Sequence, residues 1–161
     1  MPLNFDKHAQ KGNKFLKELA DELGNKTDTQ RAGKILRAVF RTLRNHITLE
    51  ENFQLLSQLP TALKGVYVES WSPSKKQSDK SRKKNDFIME MLKNKNPASL
   101  YSVSEMKEGT KEINAVLKVM KKYVSDGEFQ DIESVLPRQL KQLLRESIHT
   151  NKLNVRLISN Q

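Results

Sequence analysis

A row of basic side chains is the feature of this sequence most suited to chemistry. Four of them recur at helical spacing between residues 34 and 44: Lys34, Arg37, Arg41 and Arg44. At 100° per residue they fall within an arc of about 80° on one side of a helix. Residues 30–48 contain no Asp or Glu that could neutralise them. Such a cationic ridge could bind phosphate groups and release their counterions, so binding of a polyanion is one hypothesis.

A second basic row lies further along the chain. Lys111, Lys118 and Lys121 each stand 77 residues after a member of the first row, while Asn114 occupies the fourth matching position. Residues 72–84 add six basic side chains, so the polyanion site would comprise two ridges and this segment. The opposing interpretation is that surface helices carry such residues routinely and that acidic side chains meet the ridges in the folded protein: Glu18, Asp21, Glu22, Glu50 and Glu51.

Residues typical of catalytic sites are scarce. The chain has no cysteine, no glycine-rich phosphate loop, no His-Glu-x-x-His and no Gly-x-Ser-x-Gly motif. Its histidines, His8, His46 and His149, fall at a predicted helix start and two helix ends, where a helix C-terminus favours a positive imidazole. Adjacent carboxylates on a helix diverge by about 100° and cannot converge on one reacting bond. We therefore expect no catalysis, no metal and no cofactor.

One set of large apolar residues invites a ligand-binding interpretation. Leu63, Tyr67 and Trp71 share a helical face and could form an aromatic platform. The residues 77 positions later are the plain aliphatics Leu140, Leu144 and Ile148. Core packing is therefore the favoured interpretation, with Trp71 as the most exposed member.

Composition limits the class of protein. The 161 residues include 29 Lys and Arg against 19 Asp and Glu, for a formal net charge of +10. No apolar run approaches the roughly 20 residues of a membrane span, and the first residues lack the apolar core of a secretory signal. These features predict a basic cytoplasmic protein that does not attach to membranes.

Apolar periodicity places these residues on helices. Six Gly and five Pro punctuate the chain, and sustained apolar–polar alternation is absent before the C-terminal tail, which indicates an all-α fold. Capping boxes are predicted where Thr27, Thr48 and Ser125 precede an acidic or amide residue by three positions. The predicted helices span about residues 4–23, 28–46, 48–56, 60–71, 86–94, 104–124, 126–136 and 137–148.

The two basic rows belong to a longer internal similarity. Residues 34–67 align without a gap to residues 111–144, and nine of the thirty-four pairs are identical. The capping boxes at Thr48 and Ser125 coincide in this register, as do Pro60 and Pro137. Repetition of two different signals for a helix start, a capping box and a proline, indicates duplication. The sequence therefore predicts about eight helices in two similar four-helix copies packed as one bundle.

Short motifs also resemble a known family. The segments Phe5-Asp6-Lys7-His8, Gln58-Leu59-Pro60, Lys64-Gly65-Val66-Tyr67 with Trp71, and Val135-Leu136-Pro137 resemble the bacterial family catalogued as domain of unknown function 2267. The resemblance implies an all-helical, internally repeated cytoplasmic protein of bacteria. It supplies no activity, cofactor or catalytic residue.

Two functional hypotheses follow. The first is a non-catalytic helical scaffold that binds a protein partner or a second copy of itself. The second is sequence-nonspecific binding of nucleic acid or another polyanion through the seven ridge residues. The predicted organisation is a first helical repeat over residues 1–71, a basic linker over 72–84, a second repeat over 85–149 and a tail over 150–161.

Overall fold

The computed structural model describes residues 2–73, 84–136, 138, 140–143 and 145. Every regular element in this part of the chain is a helix and none is a strand, which confirms the predicted all-α class. Residues 138, 140–143 and 145 are helical and belong to an eighth helix. The seven preceding helices are α1 (Phe5–Glu22), α2 (Thr29–His46), α3 (Leu49–Gln58), α4 (Thr61–Val68), α5 (Lys84–Lys95), α6 (Val103–Tyr123) and α7 (Asp126–Val135).

Local sequence signals set most helix ends. Thr48 and Ser125 each form a complete capping box, with Glu51 and Glu128 as the reciprocal partners. Gly24 follows α1 with φ +95°, and its N–H bonds to the Asp21 carbonyl at 2.9 Å. Glycine fits this left-handed position because it has no Cβ to clash. These three predictions are confirmed.

The predicted capping box at Thr27 is wrong. Asp28 caps α2 instead, and its carboxylate accepts a hydrogen bond from the Arg31 N–H at 3.0 Å. The Thr27 hydroxyl donates to the side-chain oxygen of Asn25 at 2.9 Å. A carboxylate is the stronger acceptor for the positive end of a helix, which explains why the cap shifts by one residue.

Two helices of the second half, α5 and α6, start earlier than expected. α5 begins at Lys84 rather than at Asp86. α6 begins at Val103, because Ser102 and Glu105 form a capping box that the sequence analysis overlooked. The predicted strand or frayed tail over residues 150–161, the segment 74–83 of the predicted linker, and Pro137 lie outside the described residues.

Helix α2 occupies the middle of the bundle. It packs against α1, α4, α5 and α6, while α3 packs against α4 and α7. One cluster of buried side chains includes Phe15 of α1, Phe40 of α2, Phe87 of α5 and Ile132 of α7. The first and second halves therefore contribute to the same core. None of the helices in the described residues is long and apolar enough to cross a bilayer.

Candidate functional site

The four basic residues predicted to form a ridge on α2 lie in different environments in the structure. Lys34 is exposed and Arg41 is half-buried. Arg37 forms an ion pair with Glu69 just after α4, and its Nε lies 2.7 Å from Glu69 Oε2. An acidic residue from a different part of the chain thus partly neutralises a ridge that contains no acid in its own sequence.

Arg44 does not belong to an exposed ridge, and its assignment there is wrong. Its side chain is 8 % exposed, and Nη1 donates to the carbonyl oxygens of Tyr67 at 2.8 Å and Glu69 at 3.0 Å. Arg44 therefore caps the C-terminal end of α4. Burial is the main cause that lowers its pKa from the ordinary arginine value.

The three predicted lysines on α6 lie in different environments. Lys111 is exposed. The ammonium group of Lys118 lies 3.1 Å from the Glu22 carboxylate of α1. That of Lys121 lies 5.5 Å from the ring centroid of Phe129, a cation–π contact. The seven predicted residues therefore do not form two continuous, uncompensated ridges.

Positive charge nevertheless concentrates around the end of α4. Glu69 is close to the guanidinium groups of Arg37, Arg41 and Arg44. The hydrogen bond from Arg37 is the largest cause that holds the pKa of Glu69 below its ordinary value, and the charges of the three arginines add to it. Among the residues that the structure describes, one carboxylate thus interacts with three guanidinium groups, which leaves a local positive excess.

Aromatic and aliphatic side chains lie beside this charge. The Trp71 ring centroid is 6.2 Å from Phe53 of α3 and 5.9 Å from the Arg44 guanidinium carbon. Phe53 is 55 % exposed, and Leu49, one helical turn before it, is 43 % exposed. We call these three apolar residues together with Arg41 the Trp71 surface. Leu63 and Tyr67 are buried while Trp71 is partly exposed, as the sequence predicts.

A buried polar network lies next to the Trp71 surface, where the ends of α2 and α4 meet. Asn52 of α3 is 1 % exposed, and its amide donates to the carbonyl oxygens of Arg44, Ile47 and Thr48 at 3.1, 3.3 and 3.0 Å. Its oxygen accepts a hydrogen bond from the Tyr67 hydroxyl. Asn52 therefore joins the ends of α2 and α4, a role that sequence analysis missed because Asn52 resembles an ordinary polar helix residue.

The histidine at the end of α2 also has a partner that the sequence did not reveal. His46 Nε2 lies 2.6 Å from Glu90 Oε2 of α5, and the His46 side chain is 3 % exposed. Burial opposes ionisation of Glu90, but hydrogen bonds from His46 and Asn45 hold the pKa of this carboxyl below its ordinary value. His8 is half-buried in the first turns of α1, and His149 lies outside the described residues.

A partly buried ion pair lies at the end of α5. The Lys95 ammonium is 2.6 and 2.9 Å from the two carboxylate oxygens of Glu112, which is 1 % exposed. Both oxygens of this buried carboxylate therefore have a donor. Across the described residues, no group of three or more His, Asp or Glu side chains is arranged to hold a metal ion.

An apolar cleft of about 230 Å³ lies between α1, α2 and α4. Among its lining residues, only Asn13 and Arg37 have polar side chains. The cleft thus contains no carboxylate or imidazole that could transfer a proton at neutral pH.

Within the described residues, the fold and these surfaces define an all-helical protein with a common core and a half-exposed aromatic surface beside excess positive charge. The chain belongs to the uncharacterised conserved protein family DUF2267, whose family model matches residues 12–143. The family resemblance inferred from the short motifs is thereby confirmed. No curated protein matches the chain.

Proposed function

We propose that this protein is a non-catalytic helical scaffold of the bacterial cytoplasm that binds a protein partner. The Trp71 surface is the observation that carries the proposal. Phe53 and Leu49, each exposed by about half, lie one helical turn apart on α3, and the Phe53 ring centroid is 6.2 Å from that of Trp71. Exposed aromatic side chains beside arginine are typical of the centre of protein–protein interfaces.

We further propose that the scaffold arose from two four-helix copies. Helix α7 spans Asp126–Val135, and subtraction of 77 gives residues 49–58, which are the bounds of α3. The N-cap residues Thr48 and Ser125 share φ values of −65° and −66° and the same ψ of 163°. Helix pairs also correspond, because α1 packs on α2 and on α6, while α5 packs on α6 and on α2. These similarities support an approximate twofold relation between the halves.

A photo-crosslinking amino acid at position 53 tests the scaffold function. The full-length chain is produced in its native host with the probe in place of Phe53, and a second strain carries the probe at the control position Gln130. Gln130 aligns with Phe53 in the 77-residue register and lies on the exposed surface of α7. We expect a discrete adduct from position 53 that protease removes and nuclease leaves intact, and none from position 130. Absence of any adduct, or an adduct that nuclease removes, would refute a protein-binding scaffold.

Binding of a polyanion is the second candidate function. It is favoured by Lys34 and Lys111, which are exposed at aligned positions and have no ion-pair partner among the described residues. A fluorescence titration with duplex DNA at several salt concentrations tests it. A steep fall of log affinity with log salt supports this candidate, whereas a dissociation constant weaker than roughly 10⁻⁴ M at physiological salt excludes it.

A further inference from the structure

Leu49, Phe53 and Trp71 form an apolar strip that α3 does not need for folding. In the 77-residue register, Leu49 aligns with Asp126 and Phe53 with Gln130. Helix α7 has the same length as α3 and an equivalent capping box, yet its matching positions are polar. The strip therefore serves something other than formation of the helix.

Among the described residues, the arginines near the end of α4 share a single carboxylate. Arg44 Nε is buried and has no hydrogen-bond partner among the described residues, although Nη1 of the same guanidinium bonds to two carbonyls. Arg41 is half-buried and also has no ion-pair partner in the described ranges. Glu69 is the carboxylate that these groups share with Arg37. A ligand that carries an additional carboxylate would complement this excess of positive charge.

The opposite end of the strip disfavours a nucleic-acid strand. Glu50 and Glu51 lie in the first turn of α3 beside Leu49, and Glu50 is exposed. A phosphodiester backbone that followed the strip from Trp71 to Leu49 would meet these carboxylates. A folded peptide can instead direct carboxylates toward Arg41 and apolar side chains toward Leu49.

We propose that the Trp71 surface binds an acidic amphipathic helix of a partner protein. Apolar side chains of that helix cover Leu49, Phe53 and Trp71, and its carboxylates face the half-buried Arg41. This inference rests on the proposed scaffold function and specifies the chemistry of the partner.

Trp71 is the single tryptophan of the chain, so its fluorescence reports directly on this surface. The probe is a synthetic helical peptide of roughly 16 residues, about four turns, with leucine along one face and glutamate beside that face only in the two turns at one end. The control peptide has glutamine in place of every glutamate. We expect a saturable change in Trp71 emission with the acidic peptide and a dissociation constant about tenfold weaker with the glutamine peptide.

Variants of the full chain test whether the peptide binds at the Trp71 surface. Phe53→Ser should weaken binding about tenfold. Arg41→Gln should weaken binding of the acidic peptide several-fold and leave that of the glutamine peptide unchanged. Val103→Ser, which removes a side chain that is 75 % exposed on α6, should leave affinity unchanged. Circular dichroism of each variant checks that the fold is retained.

Four outcomes would overturn the inference. They are equal affinity for both peptides, equal effects of Phe53→Ser and Val103→Ser, tighter binding of a single-stranded oligonucleotide than of the acidic peptide, and sedimentation of a dimer that Phe53→Ser dissociates. A protein adduct from position 53 without peptide binding would refute the acidic helix and retain the scaffold. Absence of the adduct would refute both.

Discussion

The buried Asn52 side chain offers the sharpest test of how the Trp71 surface is held. In Asn52→Ala, the Tyr67 hydroxyl loses its acceptor, and the carbonyls of Arg44 and Ile47 lose a donor. The Thr48 carbonyl retains the Asn52 N–H at 2.9 Å. Burial raises the pKa of Tyr67, so its hydroxyl remains protonated at neutral pH and still needs an acceptor.

These lost hydrogen bonds set the expected change in the free energy of unfolding. A buried polar group without a partner costs about 1–3 kcal/mol, and the two carbonyls add a similar amount. The better helix propensity of alanine offsets about 0.5 kcal/mol. We therefore expect Asn52→Ala to lower the free energy of unfolding by about 3 kcal/mol. Gln54→Ala, an exposed change on the same helix, should cost less than about 0.5 kcal/mol.

A double-mutant cycle with Tyr67→Phe isolates the hydrogen bond between the two side chains. Phenylalanine retains the edge-on contact with Phe40, whose ring centroid is 5.1 Å from that of Tyr67. In this background the hydroxyl no longer needs an acceptor, so Asn52→Ala should cost about 1–2 kcal/mol less.

Urea denaturation provides the measurement, with helicity and Trp71 fluorescence as two probes. Trp71 lies 6.2 Å from Tyr67, so its emission reports on the network directly. The reasoning would be refuted by a loss below about 1 kcal/mol for Asn52→Ala at constant urea dependence, or by strictly additive single effects.

Three further predictions concern packing, capping and pH. Gly12→Ala should lower the free energy of unfolding by about 1–3 kcal/mol, because the new Cβ would lie 2.8 Å from a side chain of α4. Gly65→Ala should raise it by about 0.5–1 kcal/mol, because no atom lies within 4 Å of the new Cβ. Urea midpoints that shift in the same direction in both variants would contradict this. Thr48→Ala and Ser125→Ala should each cost about 0.5–2 kcal/mol, and unchanged thermal midpoints would reject the capping boxes. Because the pKa of Glu90 is lowered in the folded protein, its charged form stabilises the fold fully above the ordinary carboxyl pKa, and this stability is lost as pH falls through the lowered value. Glu90→Gln should therefore reduce the loss of stability at acidic pH. An unaltered dependence of stability on acidic pH would refute the assignment.

Local rules determined the helices of this protein from its sequence. Thr48 and Ser125 cap helices because the hydroxyl and the glutamate three residues later suffice to satisfy the first backbone donors. Gly24 ends α1 because glycine alone adopts φ +95° without strain. Such devices act within one helical turn, so a reader of the sequence can recognise them without knowing the fold.

Tertiary structure decided which helix faces are covered. Periodicity places Arg44 on α2 about 40° from the buried Phe40, at the edge of the apolar stripe. That angle cannot indicate whether a neighbouring helix lies over the edge. Helix α4 packs there and presents its terminal carbonyls, which makes burial of the guanidinium favourable. The edge position was the one available signal that Arg44 differs from Lys34.

Side-chain pairs between distant segments could likewise not be predicted from the sequence. Lys118 meets Glu22 across 96 positions, and His46 meets Glu90 across 44. Each residue is chemically able to pair with any opposite charge, so the selection depends on the arrangement of helices that burial of the common core imposes. The sequence by itself determined a basic, all-helical chain with the N-caps of α3 and α7. Packing of the helices determined which charges are neutralised and left the Trp71 surface exposed.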